Sequence, residues 1–221
     1  SAPAECRSIN GLPVETRILF SNRKGVYKKR LEVRKTRLLE KMGFLRKFLR
    51  EGERILFVAT GYSPTTTGEQ LTMGVAWCDA VKRAMFVFTD KRLFHIPTTS
   101  GYGYKGSIAQ VCYRHCKALR MKGSALLVEF VDGTKERFPG IAWADRGIIR
   151  QIRIEGDDAN EACACKTHGT TPARQHLCPR CTEVLTPGVW TCPACGLEFR
   201  TPATARTRSI LIPGGGYFYT G

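Results

Sequence analysis

The 221-residue chain carries 35 Lys and Arg against 19 Asp and Glu, a formal net charge of +16. Charged residues make up 24% and hydrophobic residues 43%, enough for a packed core, which excludes collagen-like, mucin-like and wholly disordered chains. The surplus of positive charge points to a polyanionic partner, either nucleic acid or an anionic membrane surface, and its location should decide between them.

Residues 1–22 read as an N-terminal arm. Ser1-Ala-Pro-Ala-Glu-Cys6 lacks the basic and apolar regions of a signal peptide. No stretch of the chain approaches the roughly 20 apolar residues of a membrane-spanning helix. Residues 17–54 hold fourteen Lys and Arg against four Glu, a local charge of +10. Within residues 23–52, Tyr27, Leu31, Leu38, Met42, Leu45 and Leu49 fall at helical spacing, and Gly43 is the only Gly between Tyr27 and Arg50. This predicts one basic amphipathic helix of about 24 residues. Its cations, Arg23, Lys24, Lys28, Lys29, Arg30, Arg34, Lys35, Arg37, Lys41, Arg46, Lys47 and Arg50, are the candidate contacts to lipid or another polyanion. The apolar stripe has two readings. It either lies in a membrane interface or packs on the next domain or a partner helix, leaving the cations solvated.

From 53 to 155 the period changes. Short runs rich in β-branched and aromatic residues recur: Arg54–Thr60, Leu71–Trp77, Arg83–Thr89, Arg92–Ile96, Ser107–Tyr113, Lys117–Met121 and Ser124–Val131. Turn residues separate them, and Asp132-Gly133 signals a two-residue hairpin. Ile141, Ala144, Ile148, Ile149 and Ile152 then return to helical spacing. The expectation is an α+β chain with about seven antiparallel strands closed by one amphipathic helix.

Leu49-Arg-Glu-Gly-Glu-Arg-Ile-Leu56, followed by Phe88-Thr-Asp-Lys-Arg-Leu-Phe-His95, resembles the opening strand and first hairpin of bacterial pleckstrin-homology-like and GRAM-like domains. The resemblance covers about residues 50–153. It implies an antiparallel barrel or sandwich with a C-terminal capping helix, a scaffold that binds lipid headgroups, peptides or other domains.

Residues 156–175 read as a linker, and 176–202 as a zinc ribbon. Six of the ten cysteines lie beyond residue 160, in close pairs that point to metal and a reducing compartment rather than a disulfide framework. Cys178-Pro-Arg-Cys181 and Cys192-Pro-Ala-Cys195 have the spacing of two knuckles completing a tetrahedral zinc–sulfur shell. Four protein ligands leave no open position, so the zinc would be structural. Gly196 suits the left-handed turn a knuckle needs, and Trp190 and Phe199 would pack the module. Cys163, Cys165, His168 and His176 could form a second metal site or be incidental to the linker. Cys78, Cys112, Cys116 and His95 read as core residues of the β domain.

No nucleophile elbow, phosphate loop or His-Glu-x-x-His motif is present, so no enzyme and no small-molecule substrate is expected. The tail, 203–221, ends in Ser209-Ile-Leu-Ile-Pro-Gly-Gly-Gly-Tyr-Phe-Tyr-Thr-Gly221. It resembles the opening of a small bacterial membrane-hairpin family. With Arg200, Arg206 and Arg208 as cytosolic flanks, this implies the cytosolic part of a larger membrane protein, on the cytoplasmic side. The expected function is a non-enzymatic, membrane-proximal adaptor contacting anionic lipid or a protein partner. Nucleic-acid binding through the basic helix is the alternative.

Overall fold

The computed structural model describes residues 6–64, 82–152 and 174–199. The predicted strand Leu71–Trp77, Cys78, most of the linker and the tail lie outside them. The described residues form an α+β fold with a seven-stranded mixed sheet, a second sheet of three strands and few helices.

The N-terminal arm is built into the fold. Strands β1 (Cys6–Ile9) and β2 (Leu12–Glu15) form a hairpin. Its turn is Asn10-Gly11, with φ +52° and +74°, the left-handed pair that a two-residue hairpin requires. Helix α1 (Thr16–Leu19) follows, and Leu12, Val14, Leu19 and Phe20 are buried. Asn22 then closes a tight turn by accepting the N–H groups of Lys24 and Val26 at 2.9 and 3.1 Å.

The predicted 24-residue helix is two pieces: helix α2 (Lys29–Glu40) and a 3-10 turn (Gly43–Lys47). The break is tertiary in origin. Asn10 Nδ2 donates to the Glu40 carbonyl at 2.9 Å, capping the end of α2. A Cβ on residue 43 would lie 2.9 Å from that amide, so Gly43 lets the hairpin approach. Of the predicted stripe, Leu38, Met42 and Leu45 are buried in the main core beside Leu39 and Phe48, Leu49 packs against it, Leu31 is half-buried and Tyr27 is exposed.

Strands β3 (Ile55–Tyr62), β4 (Arg83–Thr89), β5 (Arg92–Pro97) and β6 (Ile108–Cys112) form an antiparallel meander. β2 joins its first edge by pairing Val14 with Ile55 in parallel, which makes the sheet mixed rather than wholly antiparallel. The second sheet is β7 (Cys116–Lys122), β8 (Ala125–Phe130) and β9 (Lys135–Phe138). The β8–β9 connection spans Val131–Thr134. Asp132 Oδ1 accepts the N–H and hydroxyl of Thr134, so the loop has four residues rather than the predicted two. Helix α3 (Trp143–Ile149) buries Ile148 and Ile149. Finally β10 (Gln175–Leu177) pairs with β6, tying the cysteine-rich segment to the main sheet at the end of the expected linker.

Candidate metal centre and basic face

The four cysteines of the ribbon converge. All four Sγ atoms lie within 4.8 Å of one another. Contacts cross between knuckles: Cys178 to Cys195 at 3.6 Å and Cys181 to Cys192 at 3.5 Å. Sulfurs held about 2.3 Å from one ion at tetrahedral corners lie about 3.8 Å apart. A disulfide would bring a pair to about 2.0 Å. The cluster is therefore placed to hold one metal ion.

The backbone explains the placement. Cys178 N–H donates to the Glu183 carbonyl, and Cys192 N–H to the Leu197 carbonyl, both at 2.8 Å. Thr182 N–H returns to the Cys178 carbonyl and Gly196 N–H to the Cys192 carbonyl, at 3.0 and 2.9 Å. Thr182 and Gly196 have φ +66° and +68°. The single-pair bridges Leu177–Val184 and Thr191–Glu198 match as well. Residues 176–185 and 190–199 thus repeat one fold with a 14-residue offset. Gly196 was legible as a left-handed position, whereas Thr182 occupies the equivalent position with a β-branched side chain.

A divalent ion with four thiolates carries a net charge of −2. Lys47, from the 3-10 turn, donates to the Pro179 carbonyl inside the first knuckle. Burial resists charge on Cys192, but the N–H groups of Ala194 and Cys195, together with the neighbouring Cys181 and Cys178 thiols, lower its pKa to about 7. The ribbon has little apolar packing. Trp190 is exposed, so it does not fill the interior expected of it. His176 sits exposed on β10 opposite Ala109. Its expected partners Cys163, Cys165 and His168 lie outside the described residues.

The cations named for the polyanion face divide. Arg23, Lys24, Lys28, Lys29, Arg30, Arg34, Arg37, Lys41, Arg46 and Lys47 are exposed, and Arg50 is half-buried. Lys35 is the correction. It is 1% exposed, and its Nζ donates to Asp145 Oδ1 at 2.8 Å and to the Val58 carbonyl, 4.1 Å from the Phe57 ring centre. Burial, partly offset by Asp145, lowers its pKa to about 8. Lys35 locks α2 onto α3 and cannot reach a surface ligand. Arg34 shares Asp145 at 2.8 Å from the exposed side. A groove of about 680 Å³ runs along α2, lined by Lys29, Arg30, Val33, Arg37, Lys41 and Tyr102 among others.

The residues that carried the family resemblance form a buried network. Arg92 grips Glu53 with two hydrogen bonds, Nε to Oε1 at 2.9 Å and Nη2 to Oε2 at 2.7 Å. Thr89 donates to Glu53 Oε1 at 2.8 Å, and Arg92 also reaches the Phe48 carbonyl at 2.6 Å and the Gln110 side chain. Gln110 passes the chain to Gln175 of β10 at 2.9 Å. Burial would raise the Glu53 pKa, but Arg92, the Arg50 N–H and Thr89 together lower it. The Gly-Glu and Thr-Asp-x-Arg motifs are thus two halves of one ion pair joining the basic segment, main sheet and ribbon.

One Ser–His contact needs a chemical test. Ser63 Oγ lies 2.9 Å from His95 Nε2, and Arg174 Nη1 lies 3.2 Å from Nδ1. Guanidinium only donates, so Nδ1 accepts and the ring proton sits on Nε2. His95 therefore donates to Ser63 and cannot take its proton, so the pair is not an activated nucleophile. Burial, with Arg174 and His176 nearby, lowers the His95 pKa to about 3.

Compared with known proteins, the chain matches no protein-family model and no curated protein.

Proposed function

We propose that this protein is a non-catalytic binding module: a pleckstrin-homology-like β domain, braced by a structural zinc ribbon, that contacts an anionic membrane surface on its cytosolic side. The observation that carries it is the face around α2. Lys29, Arg30 and Arg37 are exposed, line one groove, and have no acidic partner among the described residues. Such a concentration of one sign of charge attracts anionic headgroups at about 1 kcal/mol per residue.

Two features support the domain assignment. The antiparallel strands β3–β6 and β7–β9, followed by a helix, support the antiparallel scaffold with a C-terminal helix that the resemblance implies, while β1, β2 and β10 extend the first sheet beyond it. The motif residues Glu53 and Arg92 also join the elements that such a hairpin would pin. Zinc suits four soft thiolates in a closed tetrahedral set, with no position left for substrate.

Co-sedimentation with phosphatidylserine-containing and pure phosphatidylcholine vesicles tests the function. Binding only to anionic vesicles, weakened by salt, is expected. Equal binding to both, insensitive to salt, would falsify it. Elemental analysis should find one zinc per chain, lost when Cys181 and Cys195 are changed to Ser.

A further inference from the structure

Resting on the membrane-surface reading, we propose that docking occurs through an aromatic wedge formed by Trp143 and the Asn22–Tyr27 turn. The helical part of the apolar stripe is not the membrane-facing element. Leu38, Met42 and Leu45, with Leu39 and Phe48 beside them, are already buried in the core, which leaves Tyr27 as the exposed member of the stripe.

What stands free is elsewhere. Trp143, at the start of α3, is 83% exposed, and Val26 and Tyr27 are exposed on the turn before α2. An indole left this open in a folded chain is unusual, because its large apolar area is ordinarily covered. The two elements are neighbours. Gln151 Nε2 donates to the Arg23 carbonyl at 2.9 Å, and the Arg23 side chain lies against Gly147. Trp143, Gly147 and Arg150 recur four and three residues apart along α3, so they share a face. Arg23 lies one helical turn from the indole on that face.

The charges around the wedge choose the partner. Arg23, Lys24, Lys28 and Arg150 are exposed. Nearby acids are engaged: Asp145 is buried between Lys35 and Arg34, while Glu32 takes Tyr27 and Arg7. Among the described residues, the exposed charge around the wedge is therefore of one sign. Trp and Tyr amid Lys and Arg is the composition of a membrane-interface anchor, with rings at headgroup depth and cations among the phosphates. A protein interface excludes Lys from its centre. The Asn22 turn suits insertion because its backbone is already closed: Asn22 N–H donates to the Val26 carbonyl at 2.9 Å, reinforced by the Asn22 side chain. Little order must be gained on docking.

The test uses the full chain with phosphatidylserine-containing vesicles, some bearing brominated acyl chains. The emission difference between the native chain and Trp143→Phe isolates Trp143, and its exposure makes the substitution neutral to folding. Bromine should quench that difference. Trp143→Ala should weaken binding roughly tenfold with an unchanged melting temperature. Replacing Lys24 and Lys28 together by Ala should weaken it roughly thirtyfold, at about fivefold per charge. Native-strength vesicle binding by Trp143→Ala with no bromine quenching overturns the wedge and leaves the membrane-surface reading standing. No binding to anionic vesicles at low salt overturns both. If these variants lose duplex DNA binding while vesicles are ignored, the face belongs to nucleic acid and the wedge is overturned.

Discussion

The β domain and the ribbon reach order by different physics. The domain buries an apolar cluster running from Leu12 to Ile149 through both sheets. The ribbon, from Arg174 to Phe199, buries Leu177, Cys178, Cys192 and the polar Gln175. A segment with so little buried apolar surface cannot offset its own chain entropy. Its order is expected to rest on a bound metal, and the domain's on its apolar core. They meet at the β6–β10 pairing, the Arg92–Gln110–Gln175 relay, the Arg174–His95 contact and the Lys47–Pro179 hydrogen bond.

Metal removal should separate them most sharply. Chelation should abolish amide-exchange protection across residues 175–199 while β3–β6 stay protected. Apparent metal-binding energies of about 10–16 kcal/mol for such sites are folding energy. Loss of protection in both regions together would show that the domain also depends on the ion.

Next in size is the domain's own polar anchor. Arg92→Ala leaves Glu53 buried and unpaired, and should cost about 3–5 kcal/mol in urea unfolding of the metal-loaded protein. The loss should appear in the global transition, since Arg92 touches the basic segment, the main sheet and the relay to the ribbon.

Acid probes the seam. His95 is neutral when folded, with a pKa of about 3, against 6.5 when unfolded. Between those values the unfolded chain binds the extra proton, so stability falls as pH drops from 6.5 toward 3. The slope from this one group approaches about 1.4 kcal/mol per pH unit. His95→Gln should flatten that slope, most cleanly above pH 4.5. An unchanged slope would mean that the loss belongs to carboxylates such as Glu53.

The smallest effect concerns strain inside the ribbon. Thr182 holds φ +66°, where a side chain costs about 1–2 kcal/mol. Thr182→Gly should tighten metal retention by up to about that amount, and Gly196→Thr should loosen it, both measured by chelator competition. Equal affinities would mean that the knuckle relaxes around the substitution.

The metal ligands were legible because knuckle chemistry is local. Two sulfurs three residues apart, followed by a left-handed turn, need only short-range geometry. Several short strands were legible for the same reason, since alternation and turn residues act within a few positions. The β1–β2 hairpin signal is also local, Asn10-Gly11 between Ile9 and Leu12, within a segment whose composition reads as an arm. Glu53 and Arg92 stood out in the two motifs that carried the resemblance but not as an ion pair, because 39 residues separate them.

Composition and local spacing therefore determine the cysteine cluster, most strand positions and the basic character of residues 23–50. Tertiary structure decided which basic residues remain basic surface. Lys35 and Arg37 are two positions apart with equal helical credentials, yet one is sealed against Asp145 and the other exposed. It also sent Leu38, Met42 and Leu45 of the apolar stripe to the core and left Tyr27 and Trp143 outside. Periodicity states that a face is apolar; only the arrival of distant chain on that face settles what covers it.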